Sequence, residues 1–178
     1  MKRLFVAIDL PDQVKAEIKP LCKGIVGAKW VSDQQLHLTL RFIGDADEKQ
    51  QQLIETGLAT IRATPFHLAL VGLGQFPNRG QPRVLWVGLE ATTALTALQE
   101  QVEAVIRTSG FSPDKPFSPH ITLARFRNPP SLGNMDDYLK IHRDFKSAAF
   151  DINQFTLYSS QLTSHGSNYH IEAQYPLG

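Results

Sequence analysis

HLTLRF, residues 37–42, has the alternation of a strand with one buried face: Leu38, Leu40 and Phe42 fall on one side, and His37, Thr39 and Arg41 on the other. An imidazole, a hydroxyl and a guanidinium on the unburied side suit either a solvated sheet face or a site for an anion that also needs a proton moved. The pattern recurs in HITL, residues 120–123, where His120 and Thr122 share a face and Ile121 and Leu123 take the other. One such strand says little, but two in equivalent places of a repeat point to function.

The surroundings of the two strands make that repeat. LFVAI (4–8) reads as a strand, and Pro11 opens a helix whose apolar positions are Val14, Ile18, Leu21, Cys22 and Ile25. KWVSDQQ (29–35) reads as a loop before the first motif strand, followed by a helix over 47–62, a strand over 66–76 and the turn PNRGQPR (77–83). The order then restarts with a strand over 84–90, a helix over 92–109 with Leu95, Leu98, Val102, Val105 and Ile106 on one face, and a loop into HITLARF (120–126). A helix near 134–143, a strand over 150–162 and a last strand NYHIEAQY (168–175) complete it. The expected fold class is α+β: two pseudo-symmetric β-α-β-α-β lobes, from halves of roughly 1–76 and 84–178, forming one bilobal domain over 1–178 with a central groove between two mainly antiparallel sheets.

Bulk composition fits one self-sufficient domain of 178 residues, with 42% hydrophobic and 20% charged residues. A net charge of +1 excludes a global basic field for a long nucleic acid, so any polyanion is bound locally. The single cysteine, Cys22, excludes an internal disulfide framework, suits a reducing compartment and falls on the apolar side of its helix. The N-terminal apolar run is broken at Asp9, too short for a signal peptide, and no run nears the roughly 18 apolar residues of a membrane span. A cytoplasmic monomer is the expectation.

Paired histidines and threonines suit cleavage of a P–O bond by in-line displacement. That reaction needs a base at the attacking oxygen and an acid at the leaving oxygen, on opposite sides of phosphorus. Imidazole titrates near neutrality, so one copy can be neutral while the other is protonated. The threonine hydroxyls can donate to non-bridging oxygens, and an arginine can neutralise the charge.

Paired H-x-T-x motifs in a duplicated chain resemble the two-histidine phosphoesterase superfamily. RLFVAIDLP, LHLTLRFIG, FPNRGQPRVLWVGL, PFSPHITLARF, TLYSSQL and YPL, in that order, resemble more closely the bacterial RNA 2',3'-cyclic phosphodiesterases, also described as 2'-5' RNA ligases. The resemblance implies hydrolysis of a terminal 2',3'-cyclic phosphate to a 2'-phosphate with no metal and no cofactor. It casts His37 as proton donor to the leaving 3'-oxygen, His120 as the acceptor that activates water, and Thr39 and Thr122 as holders of the phosphate oxygens. It also marks Arg125 as a phosphate ligand, although simple alternation places Arg125 opposite His120. Either the strand bends after Leu123, or Arg41, which alternation favours, serves instead.

Further candidates for RNA contact are Phe76, Arg79 and Arg83 in and beside the basic turn, and Trp30 before the first motif, for which packing is the alternative. Trp86 and Tyr158 sit in strand patterns and are expected in the core. His67, His142, His165 and His170 have no matching partner or metal-ligand spacing, so no metal site is expected. The expected partners are RNA ends or nucleoside 2',3'-cyclic phosphates. Competing readings are a non-catalytic nucleotide or RNA-end binding module, and 2'-5' RNA ligation by the reverse chemistry.

Overall fold

The structure is a computed structural model that describes residues 1–90 and 92–178. Its strands are β1 (Lys2–Asp9), β2 (Ala28–Trp30), β3 (His37–Ala46), β4 (Phe66–Leu68), β5 (Leu70–Phe76), β6 (Val84–Leu89), β7 (His120–Phe126), β8 (Phe150–Ile152), β9 (Gln154–Thr163) and β10 (Gly166–Pro176). Its α-helices are α1 (Asp12–Ile18), α2 (Glu48–Leu58), α3 (Thr93–Thr108) and α4 (Leu132–Ile141).

Local chemistry accounts for most helix boundaries. Asp47 and Gln50 form a reciprocal capping box at the start of α2, and the Thr92 and Ser131 hydroxyls accept from Leu95 N and Asn134 N at the starts of α3 and α4. The first helix is shorter than its apolar spacing suggests. It ends at Ile18 and passes into a 3-10 turn over Lys19–Leu21, because Pro20 cannot continue the α-helical ladder.

Two four-stranded sheets form, in the orders β10-β9-β1-β3 and β2-β7-β6-β5, with antiparallel pairing throughout. Each sheet mixes the two halves of the sequence. β9 and β10 from the second half complete the sheet of β1 and β3, while β2 and β5 from the first half complete that of β6 and β7. Neither half therefore owns a whole sheet, and one continuous apolar core runs from Leu4 and Val6 to Leu85, Val87, Ile121 and Leu157.

Long-range pairing also divides two strands that read as continuous. Residues 66–76 split at Ala69 and residues 150–162 at Asn153, because β4 and β8 leave the main sheets to pair with each other. Trp30 lies in β2 rather than in a loop. It pairs with fully buried Ala124 and packs beside Tyr138, which places it on the core side and removes it from any groove.

Candidate active site

The decisive geometry is a pair of matching bulges. In β3, Thr39 pairs with Ala7 but Arg41 pairs with Val6, leaving Leu40 as an extra residue. In β7, Thr122 pairs with Trp86 but Ala124 pairs with Leu85, leaving Leu123 as the extra one. An extra residue reverses the side-chain parity beyond it. Leu40 and Arg41 are consequently both buried, as are Leu123 and Ala124, and the next residues, Phe42 and Arg125, emerge on the same face as the preceding His and Thr. Both bulges have a partner for a freed carbonyl: Gln99 Nε2 of α3 donates to Leu40 O at 3.3 Å, and Val31 N donates to Leu123 O at 2.9 Å.

This settles the direction of the two arginines. Arg125 faces the groove with His120 and Thr122. Arg41, expected with His37, points the other way: it is 5% exposed, pairs with Glu103 of α3 and donates to the carbonyls of Phe42 and Ser112. A guanidinium held on that many internal acceptors is not available to a phosphate, so Arg41 is a structural residue.

The groove face of the first sheet is aromatic. Phe5 stacks on His37 at 5.1 Å and on Tyr158 at 5.2 Å, and Tyr169 meets His37 edge-on at 5.3 Å. Phe5, Ala7 and Tyr158 form a small buried cluster separate from the main core, so Tyr158 is buried as expected, but on the face of the sheet that carries His37. The Tyr158 hydroxyl donates to Asp9, which pairs with His37 across β1 and β3. Burial lowers the His37 pKa to about 4; Asp9 opposes this, Lys15 reinforces it, and a backbone contact from Gln35 opposes it weakly. The free protein thus carries a neutral imidazole at position 37 near pH 7.

The second sheet presents His120 beside two more rings, with Phe76 edge-on at 4.9 Å and Trp86 at 6.5 Å. Trp86 lies on the groove face and not in the core: its indole covers Gly74, where an added Cβ would stand 2.2 Å from the ring. His120 Nδ1 lies 2.8 Å from the Ser118 carbonyl, which can only accept, so Nδ1 is the donor to it and Nε2 is the ring nitrogen left for the reaction. The two motif strands, β3 and β7, lie beside each other where the sheets meet. The Arg125 charge is felt at Tyr169, whose phenol pKa is raised by burial and partly brought back by that charge.

The outlying candidates separate. Arg79 lines a cleft with Gly74, Asn78, Trp86 and Asp136 beside the edge of β5, whereas Arg83 donates to the Arg127 carbonyl at 2.9 Å on the outside. His67 pairs with exposed Asp151 on the small β4-β8 sheet. Among the described residues no three His, Cys, Asp or Glu side chains gather as a metal site, and no helix is long and apolar enough to cross a membrane.

The 2'-5' RNA ligase superfamily is matched over residues 4–163. The chain belongs to this superfamily. An RNA 2',3'-cyclic phosphodiesterase of Archaeoglobus fulgidus is 36% identical over 174 residues, covering 94% of this chain and 96% of that protein. The crystal structure of TT0787 from Thermus thermophilus superimposes with a TM-score of 0.82 at 31% identity, covering 98% of this chain and 97% of the other. Escherichia coli LigT complexed with 3'-AMP gives a TM-score of 0.76 at 26% identity, with 99% and 98% covered. Superfamily membership agrees with the family resemblance of the sequence, and the α+β bilobal architecture is that of these neighbours.

Asp9, Phe5, Phe42, Tyr158 and Tyr169 escaped the sequence reading as groove residues. A signal was present for Phe42: aligning HLTLRF with HITLAR places it opposite Arg125 rather than opposite Ala124.

Proposed function

We propose that this protein hydrolyses the terminal 2',3'-cyclic phosphate of RNA to a 2'-phosphomonoester by a metal-independent, two-histidine mechanism. The supporting observation is that two H-x-T sets lie on the groove faces of neighbouring strands, with a bulge in β7 that turns Arg125 onto the same face as His120 and Thr122. Relatives similar over nearly the whole chain are RNA 2',3'-cyclic phosphodiesterases.

In this reading His120 Nε2 takes a proton from water as its oxygen attacks phosphorus, the P–O3' bond breaks, and His37 gives a proton to the departing 3'-oxygen. Thr39 and Thr122 donate to the non-bridging oxygens, and Arg125 balances their charge. Each proton transfer contributes about 10² to 10⁴ in rate. The bound phosphate anion raises the His37 pKa from its free-protein value and loads the donor. Phe42 supplies a ring for the terminal base, and Arg79 a charge at the groove margin. A net charge of +1 fits a short footprint at an RNA end, handled by a monomer in the cytoplasm.

One observation favours a second activity. Phe76 and Trp86 flank His120, where the nucleophile enters, and water needs no aromatic surface. A nucleoside 5'-hydroxyl seated there in place of water would form a 2'-5' linkage.

The test is turnover of an oligoribonucleotide ending in a 2',3'-cyclic phosphate in excess EDTA, with the product read by phosphorus NMR. The expected product is the 2'-phosphate. A 3'-phosphate, or turnover that stops in EDTA and returns with a divalent metal, contradicts the reading.

A further inference from the structure

The two motifs are related by the internal repeat, yet the reaction needs one histidine to give a proton and the other to take one. Something outside the motifs must break the symmetry. The residues paired with the two histidines do so: Asp9 stands opposite His37 in β1, and Gly88 stands opposite His120 in β6.

Each choice is built into its sheet. Asp9 shares the groove face with Phe5 and Ala7, and the Tyr158 hydroxyl donates to its carboxylate. Burial raises the Tyr158 phenol pKa, with the Asp9 bond and charge adding to it, so Tyr158 keeps its proton and remains a donor. At Gly88 there is no room for a side chain, because an added Cβ would lie 2.8 Å from the Val71 carbonyl oxygen and 3.3 Å from the Trp86 ring. The second sheet cannot carry a carboxylate at the equivalent place.

The surroundings of the two rings differ accordingly. His37 has Asp9 opposite it in β1 and the rings of Tyr158 from β9 and Tyr169 from β10 beside it, it feels the Lys15 charge from α1, and the Arg125 charge acts on Tyr169. His120 faces the uncharged rings of Phe76 and Trp86 and bonds the Ser118 carbonyl, and the charge on its own face of β7 is the cation of Arg125.

We infer that Asp9, anchored by Tyr158, is a positioning residue that assigns the proton-donor role to His37 and leaves the acceptor role to His120. This rests on the hydrolytic reading above. Asp9 acts through its charge and does not touch the phosphorus. Its negative charge favours imidazolium at position 37 over imidazolium at position 120, and its influence works against the burial that otherwise keeps His37 neutral.

Three variants separate charge from structure. Asp9→Asn keeps an oxygen to accept from Tyr158 and removes only the charge; Asp9→Glu keeps the charge; Tyr158→Phe releases the carboxylate. The readouts are nitrogen-15 titrations of both imidazoles, free and with adenosine 2'-monophosphate bound, and the pH profile of kcat. Asp9→Asn is expected to lower the His37 midpoint by about half to one pH unit and to move the basic limb of kcat down by a similar amount. The His120 midpoint and the acidic limb stay in place, Asp9→Glu retains the wild-type profile, and Tyr158→Phe shifts His37 in the same direction by less. An unmoved His37 midpoint overturns the role of Asp9, and a shift of the acidic limb instead reverses the assignment of donor and acceptor. If the intact protein turns over no cyclic phosphate while His37 still shifts in Asp9→Asn, the hydrolytic reading fails and the inferred assignment falls with it; the Asp9–His37 coupling alone survives.

Discussion

Phe42 and Arg125 stand at equivalent places in the two motif strands, each on the groove face because one bulge separates it from its motif threonine. The repeat therefore offers a ring on one side of the groove and a cation on the other. Arg125→Ala is expected to lower kcat/KM by about 10² to 10³, the loss typical of a donor aimed at developing phosphate charge. Phe42→Ala is expected to raise KM for nucleoside 2',3'-cyclic phosphates by roughly 5- to 100-fold at nearly unchanged kcat, as for loss of one base stack. Steady-state kinetics on both variants check the pair, and a Phe42 variant that loses kcat at constant KM contradicts the division of labour.

Arg41 behaves differently because it is buried against Glu103. Arg41→Ala leaves the half-buried Glu103 carboxylate with the Asp114 N–H but without its guanidinium partner, and is expected to cost about 1 to 3 kcal/mol of stability in denaturant unfolding. Arg41→Met combined with Glu103→Leu removes both charges and recovers most of that loss. Phosphate affinity in the double variant stays near wild type; a loss beyond tenfold would return Arg41 to the site.

His37 makes stability pH-dependent. Its folded pKa of about 4 lies below its unfolded value of about 6.5, so between these values the unfolded chain binds more protons. Stability contributed at this position is present above pH 6.5 and is lost as pH falls toward 4, by roughly 3 kcal/mol in total. Unfolding free energies measured from pH 4 to 7 are expected to show this slope in the wild type and to lose it in His37→Gln. An unchanged slope would place the titration elsewhere.

Gly74 is required by Trp86, whose indole fills the space above it. Gly74→Ala is expected to destabilise by about 1 to 3 kcal/mol and to shift Trp86 fluorescence. Combining it with Trp86→Leu restores stability, and a double variant as unstable as Gly74→Ala alone contradicts this packing account.

The sequence carried the motif faces and the repeat, because alternation in HLT and HIT holds up to the threonine in both strands. It misled on Arg41, since a bulge depends on hydrogen bonds to Gln99 and Val31, far away in the chain, and leaves no local mark. Trp86 reads as core for a related reason. An aromatic strand residue looks buried, and only the second sheet decides whether its face meets the interior or a groove. The short strand β2 was read as loop because a three-residue strand owes its existence to its partner, and the breaks that separate β4 and β8 from the strands after them come from their pairing with each other.

On the proposed mechanism the two motifs form one divided active site. Its most direct measurement is kcat for His37→Ala, His120→Ala and the double variant on an oligoribonucleotide 2',3'-cyclic phosphate. If the histidines act as a unit, each single variant loses nearly as much as the double. Losses that multiply, or a single variant that keeps near-wild-type turnover, would contradict a shared site.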